Sequence, residues 1–212
     1  MNNLNRLDVK LPDATHVVPM KLAHMVLKTN RFEAMIDWYV TVLNARIVLK
    51  KPHLCFLTYD DEHHRLAICN IPELSNRQRD TCGMDHVAFT YASLGDLLST
   101  YQRLASLGIK PRWPMNHGDT ISLYYEDPDG NRIELQTDIF ESREALQHYL
   151  ATDPHFKENP LGAPFDPDEM LANYQNGLAL EELVKMPAYP AGAGPLNVLI
   201  DMGIIIPAHR PQ

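Results

Sequence analysis

The 212-residue chain has no run approaching the roughly 18 consecutive apolar residues that suggest a membrane-spanning helix. It has three cysteines, Cys55, Cys69 and Cys82, and no Cys-x-x-Cys pair. Neither a zinc site nor a disulfide framework is indicated, and free thiols in a reducing compartment are the simple reading. Excess positive charge is also missing. A net charge of −8 argues against nucleic-acid binding, which needs a basic face. The N-terminal stretch MNNLNRLDVKLPDATHVV lacks the long apolar region of a secretory signal. A cytoplasmic chain that binds neither membrane nor nucleic acid is expected.

What is present is an ordinary globular balance, 45% hydrophobic and 22% charged, with enough length for a sizeable core. Residues 1–18 read as an irregular lead-in, 19–138 as a domain and 139–212 as an extension. Within the domain, KLAHMVLKT reads as a strand. NRFEAMIDWYVTVLNA reads as a helix, with Asn30 as cap and Glu33 completing a capping box. Phe32, Met35, Ile36, Tyr39, Val42 and Leu43 form its apolar face. Strand-like runs ARIVLK, HLCFLTYD and HRLAICN follow.

The pattern then restarts. MDHVAFTYA is a strand, and SLGDLLSTYQRLASLG is a helix capped by Ser93 and stopped by Gly108. Its apolar face is Leu94, Leu97, Leu98, Tyr101 and Leu104. IKPRWP, DTISLYYED and NRIELQTD are strand-like, the last two joined by the turn Asp127-Pro128-Asp129-Gly130. The chain thus contains one βαβββ unit twice, over about 20–70 and 83–137. An α+β fold follows, with two paired modules forming a cupped mixed sheet around a site. Nine of the 16 prolines lie beyond residue 138. In that extension SREALQHYLA and DPDEMLANYQNGLALEELVK read as helices and MPAYPAGAGPLNVLIDMG as irregular. The extension reads as a wrap or an oligomer contact rather than a chemical centre.

Both modules carry a histidine in the first strand: AHMVL holds His24 and DHVAF holds His86. A lone histidine of this kind is more often a satisfied core residue than a ligand, but two at equivalent places are different. Glu134 lies in RIELQT, where Ile133 and Leu135 share one face and Arg132, Glu134 and Gln136 the other. By itself that alternation favours a solvent face. Taken with His24 and His86, it favours a metal: two imidazoles and a carboxylate make a facial triad with open positions, suited to non-haem Fe(II). Mn(II) accepts the same set.

At these residues the chain resembles the vicinal-oxygen-chelate superfamily and, within it, the type I extradiol catechol dioxygenases of single-domain type. The motif reads His117, Leu123-Tyr124, Asp127-Pro128-Asp129-Gly130 and Glu134. Met115 departs from the smaller or β-branched residue usual two places before the histidine. A second match lies in FLTYDDEHHRLAI. The resemblance implies His64 as the acid–base residue, Phe56 and Ala67 as pocket residues, and His117 and Tyr124 as hydrogen-bonding groups at the substrate oxygens. Val26 and Asp119 are further expected substrate contacts. The segment between His64 and His86 is longer than usual, and the resemblance covers about 20–137.

The implied activity is ring cleavage next to the diol of a catechol, bicyclic dihydroxybiphenyl-like diols included, with Fe(II) and O2. A homo-oligomer is expected by analogy with other paired-module proteins. Two alternatives stand beside this. One is a glyoxalase-like or epimerase-like metal lyase or isomerase, which commonly has four protein ligands. The other is a binding protein without catalysis, which generally lacks the triad.

Overall fold

The computed structural model describes residues 14–78, 81–159, 161–189 and 194–203. Residues 1–13, most of the expected lead-in, lie outside the described residues.

The first module runs β1 (Met25–Thr29), α1 (Phe32–Leu43), β2 (Arg46–Lys51), β3 (Leu54–Thr58) and β4 (Leu66–Asn70). The second runs β5 (His86–Thr90), α2 (Leu94–Ser106), β6 (Trp113–Asn116), β7 (Thr120–Glu126) and β8 (Arg132–Asp138). The extension adds α3 (Arg143–Thr152), α4 (Pro154–Glu158), β9 (Ala163–Pro164), α5 (Pro167–Gln175), α6 (Leu180–Leu183) and α7 (Pro195–Asp201). The strand orders are β1-β4-β3-β2 and β5-β8-β7-β6-β9. In each module the first strand pairs in parallel with the last, and the other pairs are antiparallel. The α+β class and the doubled βαβββ unit are as the sequence predicts.

Both predicted helix faces are buried residue for residue. Ser93 caps α2, its hydroxyl accepting from the Asp96 N–H at 3.1 Å. The expected capping box of α1 is absent. Arg31 is the N-cap and makes no side-chain cap bond. The Asn30 amide instead donates to the Leu74 carbonyl at 2.7 Å, and Glu33 pairs with Lys50 at 2.6 Å. Both halves of the box are engaged by tertiary partners that local pattern does not reveal. Asn44, in the left-handed region at φ 50°, ends the helix.

The helix-backed faces of the two sheets share one core. It joins Leu27, Tyr39, Leu57 and Ile68 of the first module to Leu97, Tyr101, Leu123 and Leu135 of the second. Polar ties reinforce the junction. The Arg103 guanidinium donates to the Thr41 and Val42 carbonyls at 2.6 and 3.2 Å. The buried Tyr39 hydroxyl donates to Asp127 Oδ2 at 3.0 Å. Asp127 Oδ1 also accepts from the Asp129 and Asn131 N–H groups, which pins the β7–β8 turn, and Gly130 takes the positive φ of 78° that the turn needs.

The extension departs from expectation in three places. The long helix predicted over 166–185 is two helices, interrupted where Gly177 adopts φ 77°. The stretch read as irregular contains α7, which Pro195 starts at its first position. The two-residue strand β9 was not signalled by any pattern. It pairs with β6, and Gly162 beside it, at positive φ, sits where a Cβ would collide with the Asn116 carbonyl oxygen. Among the described residues no helix is long and apolar enough to cross a membrane.

Candidate active site

Strand alternation decides which side chains leave the core. On β1, Leu27 and Thr29 point inward, while Val26 and Lys28 are exposed. On β5, Val87 and Phe89 pack inward and His86, Ala88 and Thr90 are exposed. On β8 and β7, Ile133, Leu135, Leu123 and Tyr125 join the core, and the alternate residues lie on the opposite face.

The registers reveal the repeat. In the first sheet Val26, Ala67, Phe56 and Leu49 form one row across β1, β4, β3 and β2. In the second sheet the corresponding row is Ala88, Glu134, Tyr124 and Trp113. His24 and His86 each stand two residues before the start of their row, so they occupy equivalent positions. His24 lies just before β1 rather than within it.

His86 and Glu134 meet directly, with Nε2 3.0 Å from Oε2. The other ring nitrogen, Nδ1, lies 2.7 Å from Asp85 Oδ2. The Glu134 hydrogen bond, and then Asp85, outweigh partial burial and raise the His86 pKa above the ordinary imidazole value. Burial pushes the Glu134 carboxyl up. Hydrogen bonds from His86, Ser122 and Tyr124 outweigh it and hold the group below the usual carboxylate range. A nearly buried carboxylate on a β-strand, its side chain 7% exposed, is thus given partners.

Tyr124 is buried beside Glu134, and His117 Nε2 lies 3.1 Å from its hydroxyl. Burial, then the Glu134 charge, raises the Tyr124 pKa, so this phenol stays protonated and can donate. The His117 Nδ1 atom is 2.7 Å from the Leu161 carbonyl. Asp119 sits in the turn before β7, where its charge reaches Tyr149 of α3.

The remaining candidates gather on the first sheet. The His24 and His64 rings are 4.4 Å apart, and His64 stacks on Phe56 at 4.3 Å with 10° between planes. Lost hydration, followed by the neighbouring His24 and His63, lowers the His64 pKa. Val26 and Ala67 adjoin Phe56 in the same row. The structure therefore gathers the predicted residues in two groups: His24, His64, Phe56, Val26 and Ala67, and His86, Glu134, Tyr124 and His117. Among the described residues of one chain no three His, Cys, Asp or Glu side chains are placed to hold one ion. The donors nonetheless fit a divalent metal. An imidazole Nε2 and a carboxylate converge within 3.0 Å, and a second outward-facing imidazole stands at the equivalent place in the other module.

Sequence reasoning missed Asp85, Ser122, Arg132 and Trp113. For Asp85 a signal existed: an acid directly before the metal-type histidine. The others depend on cross-strand neighbours and on the extension.

Residues 21–135 match the Glyoxalase/Bleomycin resistance protein/Dioxygenase superfamily. The chain is 50% identical over 148 residues to biphenyl-2,3-diol 1,2-dioxygenase 2 of Rhodococcus globerulus, covering 69% of this chain and 77% of that one. It is 44% identical over 168 residues to biphenyl-2,3-diol 1,2-dioxygenase 3 of the same organism, covering 78% and 88%. A lactoylglutathione lyase of Neisseria meningitidis serogroup A is 26% identical over 124 residues, covering 55% and 89%.

Proposed function

The chain belongs to the Glyoxalase/Bleomycin resistance protein/Dioxygenase superfamily, and we propose that it is an extradiol dioxygenase that cleaves a catechol-type ring next to its diol. The observation that carries this reading is the pair of biphenyl-diol dioxygenases at 44% and 50% identity over more than two thirds of the chain. The local chemistry agrees. An imidazole nitrogen and a carboxylate converge at His86 and Glu134, and a phenol and a second imidazole stand beside them.

The metal would be held by His86, Glu134 and His24. Fe(II) bound there would supply Lewis-acid and redox chemistry toward the diol and O2, and Mn(II) accepts the same donors. The protein's own tasks follow from its side chains. Tyr124 is kept protonated, and its single O–H, which faces Glu134 and His117 here, can turn to oxygen on the diol side once Glu134 is engaged by a metal. His64, its pKa lowered and its ring plane held by Phe56, is neutral near pH 7, so it can accept a proton and return it. Val26, Ala67 and Phe56 offer a small apolar row for the aromatic ring, with Asp119 as a further substrate contact.

The partner in this reading is a second copy of the chain. The two helix-backed faces share a core, so the faces bearing His24 and His86 look outward from it. The first sheet carries one ligand and the second carries two. Two copies related by a two-fold axis bring one of each together twice.

The test is O2 uptake by protein loaded anaerobically with Fe(II), against mono- and bicyclic catechols including 2,3-dihydroxybiphenyl. Uptake with a yellow ring-opened product is expected. Bound iron without uptake on any catechol would overturn the dioxygenase reading in favour of a metal lyase.

A further inference from the structure

The extension beyond the matched region touches the site through a continuous chain of contacts. At its near end, Asp85 Oδ2 lies 2.7 Å from His86 Nδ1. Asp85 is half exposed, its side chain 51% accessible, so by itself it would not hold a fixed direction. Arg132 restrains it, one guanidinium nitrogen donating to both carboxylate oxygens at 2.9 and 3.0 Å. The other terminal nitrogen of Arg132 donates to the Met202 carbonyl. Trp113 lies against the Arg132 guanidinium, 4.4 Å from ring centroid to Cζ, and its indole N–H donates to the Asp201 carbonyl at 3.2 Å. Val198 and Met202 are buried against Met115 and Tyr124, which fixes α7 on this sheet face.

These contacts have a chemical consequence at the histidine. A metal binds neutral imidazole through one nitrogen, and the proton must then reside on the other. An acceptor at Nδ1 keeps the proton there and leaves Nε2 as the ligand atom. Nε2 is the atom that faces Glu134. Partners of this kind set the orientation and basicity of a ligand histidine.

We propose that the C-terminal segment is a positioning arm of the active site, acting from Met202 and Trp113 through Arg132 and Asp85 on His86. The arm does not touch the reacting atoms. It sets which ring nitrogen is free and where that nitrogen points. The proposal rests on the reading of His86 as a metal ligand. It assigns to the segment around 195–202 a role that residues 21–135 alone could not supply.

The experiment is a titration of the full-length protein with Co(II) as a spectroscopic probe, repeated anaerobically with Fe(II). Asp85→Ala is expected to weaken metal binding by roughly 10–100-fold, the usual effect of losing such a partner. Asp85→Asn keeps an acceptor for Nδ1 and is expected to recover most of that loss, which a general loss of packing would not do. Val198→Ser, which loosens α7, is expected to weaken binding when Arg132 is present. It should add nothing in an Arg132→Met background, because the arm is already cut there. Unchanged affinity in Asp85→Ala, or an equal effect of Val198→Ser in both backgrounds, would overturn the proposal. O2 uptake is measured on the same samples. Wild-type protein that binds metal but consumes no O2 with any catechol defeats the dioxygenase reading and leaves the arm standing. Wild-type protein that binds neither metal overturns both.

Discussion

Ala67 in the first module occupies the position that Glu134 occupies in the second. Each pairs with the first strand of its sheet, with Val26 and Ala88 respectively, and each faces an aromatic residue, Phe56 or Tyr124. The doubled fold therefore carries a carboxylate in one copy of the unit and a methyl group in the other. The histidine two residues before the row is kept in both. In the proposed reading this asymmetry gives one sheet a single metal donor and the other sheet two, with the small residue leaving space for an aromatic ring.

The two-copy arrangement makes a complementation prediction. His24→Ala and His86→Ala proteins each lose metal when pure. After dissociation and random reassociation in equal amounts, half of the dimers are mixed, and each mixed dimer regains one intact site of its two. About a quarter of the wild-type metal content is expected. Metal analysis of the reassociated sample reads this directly. No recovery, with wild type treated the same way retaining its metal, would place all three ligands within one chain.

His64→Phe separates metal binding from proton transfer. Phe56 still has an aromatic ring to stack on, so the local packing at 4.3 Å is preserved. Metal content is expected to match wild type, and kcat to fall by about 10²–10⁴-fold, the range for losing a positioned acid–base group. Steady-state O2 uptake with a fixed catechol checks it. Unchanged turnover would remove His64 from the chemistry.

Metal affinity should depend on pH through His86. Glu134 first, and Asp85 second, hold the proton on this ring, so its pKa lies above the ordinary 6.5. Metal and proton compete for Nε2. Affinity is therefore highest above the raised pKa and falls as pH drops through it, starting at a higher pH than for a free imidazole. Co(II) titrations across pH steps read the onset. Affinity that stays flat below about pH 6.5 would contradict this account of the pair.

The link between modules can be tested without touching the site. Tyr39→Phe removes the donor to Asp127 and leaves a buried acceptor short of one partner. A loss of about 1–3 kcal/mol in unfolding free energy is expected. Denaturant titration measures it, and metal affinity should be unchanged in the folded variant. A neutral result would mean that Asn131 and the turn N–H groups satisfy Asp127 by themselves.

Much of the fold is legible in the sequence because it is written in local periodicity. The faces of α1 and α2, the Ser93 cap and the Asp127–Gly130 turn all depend on neighbours within a few residues. That Glu134 needs a partner was also readable, because a carboxylate in an apolar strand is costly; the expected partner was a metal shared with His24 and His86, and within one chain the structure sets His86 Nε2 3.0 Å from the carboxylate instead. The misses have a common cause. Asn30 leaves its expected cap for Leu74, and Arg132 reaches Met202 across 70 residues, because side chains choose partners by space and not by sequence distance. The helix α7 was hidden by the glycines and prolines around it, although Pro195 at a first helical position favours a start.

By itself the sequence determined the doubled βαβββ unit, the core faces and the two histidines and one carboxylate that the proposed site uses. Those follow from alternation, helical spacing and the chemistry of the donors. Only the tertiary structure decided how the two units sit. The helix-backed faces fuse into one core, His24 is left with His64 on one sheet, and His86 is left with Glu134 on the other. Periodicity states which face of a strand is apolar, but it does not state against which other face that surface is buried. That choice is made by shape and by long-range ties such as Tyr39 to Asp127, and it sets which side chains each outward face of the chain presents.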